Sequence, residues 1–387
     1  MKIAYNMKHL LLVLLLTGMI LAGCSSNENV GRHLGERRLA SDIDIQYDSI
    51  VISADSTSLR GNFVMMDSSL VFVDQLYCRI YAFSLADGSL IKTYSGHGQG
   101  PNEMNGIMYG SVIHPADTLM LIFDSSYGVY EFTPSNGNVR YRERLNFSWE
   151  KPKRNDYSSP SCYGVMEMSD FGLTMYQIDD STILIPVSLI NRNFDKITSE
   201  RYKSGHILGK ANVKSYEITT LTGQFPEFYA SNPLPYFEFF DYTIDFSNSR
   251  IYASHAPDSL IYCYDYEGNL INTIGYEPAG INRNYTKGFN TSSEIFKKDL
   301  SQVGVNTGLY FDENNGLLFR TSMTDFVSGK TIMQIYRENN LVFEKAMPSY
   351  LKILGRQGDS YYGVRFLPVD DGNNSTFVLY RISLKMV

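Results

Sequence analysis

One three-strand pattern occurs three times in this chain, and it limits the fold more than any other feature of the sequence. In each copy a short apolar strand is followed by a second strand rich in Tyr and Phe, and a turn with glycine leads into a third strand. The copies span residues 71–93, 121–139 and 251–273, and a fainter copy spans 316–343. The first two copies begin 50 residues apart, and a period of this length is typical of propellers and solenoids.

A β-propeller fits this pattern because each four-stranded blade buries one face on the preceding blade and the other face on the following blade. A sandwich or a lipocalin-type barrel would need fewer residues and would not repeat a tyrosine-rich hairpin at this spacing. We therefore predict an all-β propeller with six blades, and seven blades is the alternative. The strand at 43–52 is predicted to complete the sheet of the last blade and so close the ring.

The apolar run that begins at Leu10 and ends at Leu21-Ala22-Gly23-Cys24 resembles a lipoprotein signal peptide with its lipobox. The resemblance implies that Cys24 becomes the acylated first residue and anchors the chain in the lipid bilayer. We therefore expect a signal peptide at 1–23, a lipidated cysteine with a flexible tether at 24–42, and a propeller domain at 43–387. Ser25, in place of Asp, favours the outer membrane, and the sequence leaves open whether the protein faces the periplasm or the cell surface.

The chain is acidic, with 41 Asp and Glu against 34 Lys and Arg, and this balance argues against nucleic acid as a partner. Cys78 and Cys263 lie in apolar strand segments, and Cys162 is the third thiol after the lipobox. Three thiols cannot all pair, so we expect buried free cysteines rather than a disulfide framework. No spacing of His and Cys predicts a metal, and no cofactor is expected.

The turn at 96–104, Gly-His-Gly-Gln-Gly-Pro-Asn-Glu-Met, follows the third strand of the first copy. It resembles the Gly-x-Gly-x-Gly-Pro-Gly-Glu-Phe turn of TolB-like six-bladed propeller lipoproteins of the Bacteroidetes, a family of unknown function. The chain departs from that motif at Asn102 and Met104. We expect Gly96, Gly98 and Gly100 to adopt positive φ in a crossover between blades, and 355–358 is interpreted as a degenerate second copy of the turn.

Few residues are candidates for a catalytic or ligand-binding role. Asp74 and Asp124 end equivalent strands, where they either form turns or line one face and bind a cation or a hydroxyl group. The sequence contains no GxSxG or HExxH motif. The histidines are not spaced as ligand pairs, and His255 is interpreted as a loop residue rather than a catalytic one.

Two segments are candidates for recognition because binding residues concentrate in loops on a rigid scaffold. The segment 149–157 is basic and punctuated by proline, and the segment 225–240 carries more aromatic residues than a core strand needs. The only strong helix signal is at 291–300, where Thr291 and Glu294 have capping-box spacing.

These features predict a monomeric, membrane-anchored propeller that binds an envelope protein or a glycan and has no catalytic residues. The alternative function is a propeller hydrolase or lyase with carboxylates at the channel mouth. A purely structural envelope component is the third interpretation. Several carboxylates converging on the central channel would favour the enzyme.

Overall fold

The computed structural model of the chain describes residues 33–39, 43–66, 68–105, 108–113, 120–124, 126–147, 156–166, 174–190, 198–289, 292–370 and 375–386. Their strands form six antiparallel blades of four strands each, arranged as a propeller. The predicted all-β fold with six blades is therefore confirmed, and the seven-bladed alternative is wrong. The predicted signal peptide, Cys24 and most of 149–157 lie outside the described residues.

The strands are numbered in chain order, and the first of them belongs to the last blade. Strand β1 covers Ile43–Ser53. Blade 1 contains β2 (Gly61–Met66), β3 (Ser69–Asp74), β4 (Ile80–Ser84) and β5 (Leu90–Tyr94), and blade 2 contains β6 (Met108–Ile113), β7 (Met120–Asp124), β8 (Gly128–Thr133) and β9 (Asn138–Arg144). A short strand, β10 (Tyr163–Val165), pairs with the second strand of blade 3, which contains β11 (Thr174–Gln177), β12 (Thr182–Leu189), β13 (His206–Asn212) and β14 (Ile218–Gln224).

Blade 4 contains β15 (Phe240–Asp245), β16 (Arg250–His255), β17 (Ile261–Asp265) and β18 (Leu270–Ile274), and blade 5 contains β19 (Val305–Asp312), β20 (Leu317–Met323), β21 (Thr331–Arg337) and β22 (Asn340–Met347). Blade 6 contains β23 (Leu351–Gln357), β24 (Ser360–Asp370), β25 (Ser375–Met386) and β1. The first strand of each blade lies innermost, since β6 pairs in parallel with β11, and β19 contacts both β15 and β23.

Strand β1 closes the ring, as the sequence predicts. It pairs antiparallel with β25 from Ile43 opposite Met386 to Ser53 opposite Thr376. The outermost strand of blade 6 therefore comes from the other end of the chain. This pairing ties the first described strand to the last one and fixes the ring at six blades.

The repeated aromatic residues fill the spaces between blades. Tyr81 and Phe83 on β4 are buried, and the corresponding residues of β8 and β17 are buried as well. Phe72 of blade 1 contacts Phe377 of blade 6 with ring centroids 4.8 Å apart. Since side chains alternate between the two faces of a strand, each blade presents apolar groups to both neighbours.

The described residues contain three short α-helices, α1 (Ser199–Ser204), α2 (Glu227–Ser231) and α3 (Ser293–Leu300), and a 3₁₀ turn at Pro160–Cys162. Helix α3 confirms the predicted helix, but its N-cap is Ser292 rather than Thr291, because the Ser292 hydroxyl accepts from the Ile295 backbone N–H at 3.3 Å. None of the described helices is both long and apolar enough to cross a bilayer.

The glycine turn at 96–104 does connect blade 1 to blade 2, but the predicted role of its glycines is wrong. The residues with positive φ there are Ser95 and Asn102, at 61° and 64°. Gly98 leaves room for the Glu103 carboxylate, because a Cβ on Gly98 would lie 2.0 Å from a Glu103 oxygen. Asparagine tolerates the left-handed region, which explains why the chain accepts Asn102 where the similar motif has glycine.

The segment 355–358 is not a second copy of that turn. It forms the end of β23 and the hairpin turn into β24 within blade 6, with Gly358 at φ 57°. The three cysteines of the described residues are buried and form no disulfide bonds, as predicted. Burial raises the pKa of the Cys263 thiol to about 12, so this thiol stays protonated at neutral pH.

Candidate functional site

The topology brings the long connections of blades 3 and 4 to one face of the propeller. In an antiparallel blade the link between the second and third strands lies at the same end as the link to the next blade. Links of these two kinds contain the described residues 198–205, 225–239, 275–289 and 292–304. They contain α1, α2 and α3 in turn, so all three helices lie on the same face, and we call these described residues the helical cap.

Aromatic rings form the core of the helical cap. Tyr202 of α1 stacks on Tyr229 of α2 with ring centroids 5.4 Å apart, and Phe225 packs edge-on against both rings. Phe237 packs against Phe296 of α3 at 5.0 Å. The cap core is therefore continuous from the first helix to the third.

This core accounts for most of the aromatic residues at 225–240. Phe225, Tyr229, Phe237 and Phe240 are all buried, so they hold the cap together rather than forming an exposed stacking rim. Tyr236 is the exception, with 41% of its surface exposed.

Polar contacts join the cap segments to each other and to blade 4. The Arg201 guanidinium donates two hydrogen bonds to the Glu238 carboxylate, at 3.0 and 2.6 Å. Arg283 donates to the backbone oxygens of Ala256 and Gly304, at 2.7 and 3.2 Å. Bidentate arginine pairs and charge-assisted bonds are geometrically specific, so these contacts fix the cap in one position.

A small cleft lies between residues 234–237 and helix α3. It has a volume of about 190 Å³, including space open to solvent, and is lined by Leu234, Tyr236, Phe237, Thr286, Ile295, Phe296 and Asp299. The Tyr236 ring stacks on Phe296 with centroids 5.5 Å apart and planes at 23°. Both Asp299 oxygens are used within the cap, since they accept from the Thr286 backbone N–H at 2.7 Å and its hydroxyl at 2.9 Å. The exposed part of the cleft is therefore mainly apolar.

Asp74 and Asp124 form turns. Asp74 is fully buried and accepts hydrogen bonds from the backbone N–H groups of Leu76 and Tyr77, at 3.0 and 2.8 Å. Asp124 accepts in the same way from the Gly128 N–H at 2.8 Å. Their oxygens stabilise the turns after β3 and β7 and do not point together at a shared ligand position.

Two of the three carboxylates on the innermost strands, Asp241 and Asp312, are paired with cations, and the third, Asp245 at the end of β15, accepts from the Asn248 backbone N–H at 2.9 Å and its side-chain amide at 2.8 Å. Asp241, the second residue of β15, forms an ion pair with Lys352 of β23 at 2.9 Å, which joins the inner strands of blades 4 and 6 past blade 5. Asp312 ends β19 and accepts from the Tyr361 hydroxyl at 2.6 Å, with Arg356 at 3.9 Å. Because β15 and β19 run in the same direction, these two carboxylates lie toward opposite ends of the channel.

His255 ends β16 and is fully buried under the cap, so the interpretation as a loop residue is wrong. Its ring is surrounded by the rings of Phe225, Tyr229, Phe240 and Tyr262, at centroid distances of 5.1 to 6.5 Å. No described residue forms a hydrogen bond with either ring nitrogen. Burial lowers the pKa of His255 to about 3, and the ring therefore belongs to the core in its neutral form.

The other histidines are dispersed. His33 lies against Tyr276 at the outer edge of blade 4, His97 lies in the glycine turn, and the His206 ring contacts the Gly223 carbonyl oxygen at 3.2 Å. His114 lies outside the described residues. Across the described part of the chain, no three His, Cys, Asp or Glu side chains are grouped as metal ligands require.

Comparisons with known proteins identify the fold. No family model and no curated protein matches the sequence. Among solved structures, a member of the DUF4221 family from Bacteroides vulgatus superposes with a TM-score of 0.65 at 13% identity, over 88% of this chain and 99% of that one. A Bacteroides fragilis protein named "putative exported protein" superposes with a TM-score of 0.50 at 13% identity, over 92% of this chain and 99% of that one. At these identities the similarity concerns the propeller fold alone.

Proposed function

We propose that this chain is an outer-membrane lipoprotein, anchored through acylated Cys24, whose propeller binds a protein partner through the helical cap and catalyses no reaction. The cap carries this proposal. It gathers every described α-helix on one face, is held in place by buried polar contacts, and presents Tyr236 beside an apolar cleft. Exposed aromatic residues next to apolar clefts are typical anchors of protein interfaces.

The chemistry of the cleft favours a protein over a glycan. A sugar needs free hydrogen-bonding groups as well as a flat ring, and the two oxygens of Asp299 are already used by Thr286. An aliphatic or aromatic side chain needs only the apolar walls of the cleft. We therefore expect an apolar side chain of the partner to lie against Tyr236 and Phe296.

The alternative function, a hydrolase or lyase, has less support from the described residues. A pair of catalytic carboxylates would have to lie close together at the channel mouth, with at least one of them free to exchange a proton. Asp241 is paired with Lys352. Asp245 and Asp312 end neighbouring inner strands, but Asp245 is occupied by Asn248 and Asp312 by the Tyr361 hydroxyl. Asp74 and Asp124 are occupied by backbone N–H groups.

Photo-crosslinking at Tyr236 tests the binding proposal. We would replace Tyr236 with a photoreactive phenylalanine derivative in cells, and make the same change at Tyr141, which is 53% exposed on the outer strand of blade 2. A discrete protein adduct should form from position 236 and be absent from position 141. Tyr236→Ala should then weaken binding of the identified partner by about 2 kcal/mol, roughly 30-fold. Identical adducts from both positions, or adducts only with glycan, would contradict the proposal.

The anchoring proposal has a separate test. The thiol is the group that accepts the lipid, so Cys24→Ser should give an unprocessed and unlipidated precursor. We expect the variant to leave the detergent phase in a phase-partition assay, while Cys78→Ser, at a buried cysteine of blade 1, should remain in it. Normal processing and partition of the Cys24→Ser protein would show that the chain is not a lipoprotein.

A further inference from the structure

Residues 33–39, which the sequence analysis assigned to the tether, cross the outer edges of blades 4 and 5. At the first crossing the Leu34 backbone N–H donates to the Thr273 oxygen of β18 at 2.6 Å. At the second, the Arg38 N–H donates to the Leu341 oxygen of β22 at 2.9 Å. Both contacts are parallel bridges, so this segment is bound to two neighbouring blades before the chain reaches blade 6.

The segment fits its path closely. Gly35 has a φ of 92°, and a Cβ at this position would lie 1.9 Å from the Asn339 backbone oxygen. The Tyr276 hydroxyl donates to the Gly35 oxygen at 3.0 Å. Any other residue would have to displace the turn between β21 and β22, so glycine is required here.

Leu34 covers the outer end of the space between blades 4 and 5. It packs against the cluster that contains Ile274 and Leu341, together with Tyr276. This contact closes the seam between the two blades with an apolar side chain, and it depends on the path that Gly35 allows.

A series of side-chain hydrogen bonds then links the segment to the middle of the seam between blades 4 and 5. Arg37 donates to Glu344 at 2.7 Å, and the other Glu344 oxygen accepts from the Gln334 amide at 2.6 Å. The Gln334 oxygen accepts from the Nε of Arg320, which is fully buried, at 3.0 Å. The Arg37 side chain is 46% exposed, but that of Glu344 is only 5% exposed, so the network is shielded from solvent from Glu344 inward.

We infer that residues 33–39 are a clasp that holds the N-terminal end of the chain on the seam of blades 4 and 5, and that this rim faces the bilayer. The inference rests on the proposed acylation of Cys24. His33 is only nine positions after Cys24, a reach of about 30 Å at full extension. Were the clasp open, the first fixed residue would be Ile43 of β1, nineteen positions after Cys24, a reach of about 65 Å.

The clasp therefore sets the orientation of the propeller on the membrane. In a ring of six, blade 2 lies opposite blade 5, so the clasped rim is near the lipid and the rim of blade 2 is remote from it. Both faces of the propeller then stay open to the envelope, including the face that carries the helical cap.

The clasp itself is tested without a membrane, on residues 24–387 carrying Cys24→Ser. Leu34→Asp should raise amide hydrogen exchange at residues 34, 38 and 341 by more than about tenfold. Leu39→Asp is the matched control, because Leu39 is 50% exposed, and it should leave exchange unchanged. Gly35→Ala should repeat the effect without adding a charge. Unchanged exchange in both the Leu34 and the Gly35 variants would overturn the clasp.

The orientation is tested with the acylated protein on vesicles of phosphatidylethanolamine and phosphatidylglycerol that contain an acceptor-labelled lipid. A donor dye would be placed on Lys345→Cys of β22 or on Arg140→Cys of β9, both exposed positions on outermost strands. Energy transfer to the lipid should be at least twice as efficient from position 345, and Leu34→Asp should abolish most of the difference. If the protein sediments with the vesicles but energy transfer is equal from the two dye positions, the proposed orientation is wrong and the anchoring proposal stands. Failure to sediment would overturn the proposed anchoring and the orientation together, while the exchange result on the clasp would stand.

Discussion

Arg320→Ala should lower the free energy of unfolding by about 3 to 5 kcal/mol. The guanidinium is fully buried between blades 4 and 5 and donates to the Ser259 oxygen at 2.6 Å, to the Gln334 oxygen at 3.0 Å and to the backbone oxygen of Tyr276. Removing it takes a donor from each of these acceptors and opens a cavity in the seam, while the Gln334 oxygen keeps the Tyr336 hydroxyl at 2.8 Å. Each effect is costly in a buried site.

Denaturant unfolding of the purified domain measures this loss, and Arg381→Ala is the control. Arg381 pairs with Asp48 on the surface of blade 6, where the two side chains are 43% and 53% exposed, so its loss should cost no more than about 1 kcal/mol. A cost for Arg320→Ala as small as that of the control would mean that its hydrogen bonds contribute nothing to the seam. Arg320→Met, which keeps much of the volume, should be less damaging than Arg320→Ala.

Because of His255, the free energy of unfolding should fall by about 1.4 kcal/mol for each pH unit below about 6.5. Burial holds the pKa of His255 near 3 in the folded state, whereas the unfolded chain has the ordinary value near 6.5. Above pH 6.5 both states are neutral and the residue has no effect. Between pH 6.5 and 3 only the unfolded state takes up the proton, so stability falls as the pH falls.

The measurement compares the wild type with His255→Phe at pH 7.5, 5.5 and 4.5. Phenylalanine suits the aromatic surroundings and cannot be protonated. The free energy of unfolding of the variant, relative to that of the wild type, should therefore rise by about 2 to 3 kcal/mol as the pH falls from 7.5 to 4.5. Burial also lowers the pKa of His206, and since His206 is present in both proteins its contribution cancels. Exposed His97 provides the control, and His97→Asn should follow the wild type. Parallel pH curves for the wild type and His255→Phe would refute this account of His255.

The repeated strands could be predicted because each copy contains its own turn chemistry. Gly88, Gly137 and Gly268 all adopt positive φ, between 74° and 85°, in the turn between the third and fourth strands of their blades. The blade 3 repeat could not be predicted from a glycine turn, because Tyr216, with φ 53°, occupies the corresponding position between its third and fourth strands. Residues 190–205 also separate its second and third strands, and that insertion disrupts the spacing on which a repeat search depends.

The helical cap could not be predicted in the same way. Arg201 and Glu238 are 37 residues apart, and neither lies in a motif that indicates an ion pair. The sequence shows the excess of aromatic residues at 225–240, but it does not distinguish an aromatic residue that packs in a core from one that is exposed. Only the positions of the three helices make Tyr229 a core residue and leave Tyr236 at the surface. The path of residues 33–39 could not be predicted either, since their partners are distant in sequence: Gly35 and Tyr276 are 241 residues apart, and Arg37 and Glu344 are 307 residues apart.

The pairing of β1 with β25 also has a consequence for how the protein matures. Asp48 and its partner Arg381 are 333 residues apart, so the ring cannot close until almost the whole chain has been synthesised. Contacts this distant in sequence slow folding, because loop closure must be completed before they stabilise anything. Until then blade 6 lacks its outer strand, and β25 presents an unpaired edge that can associate with other chains. The interval between synthesis and ring closure is therefore when this protein most needs protection from aggregation.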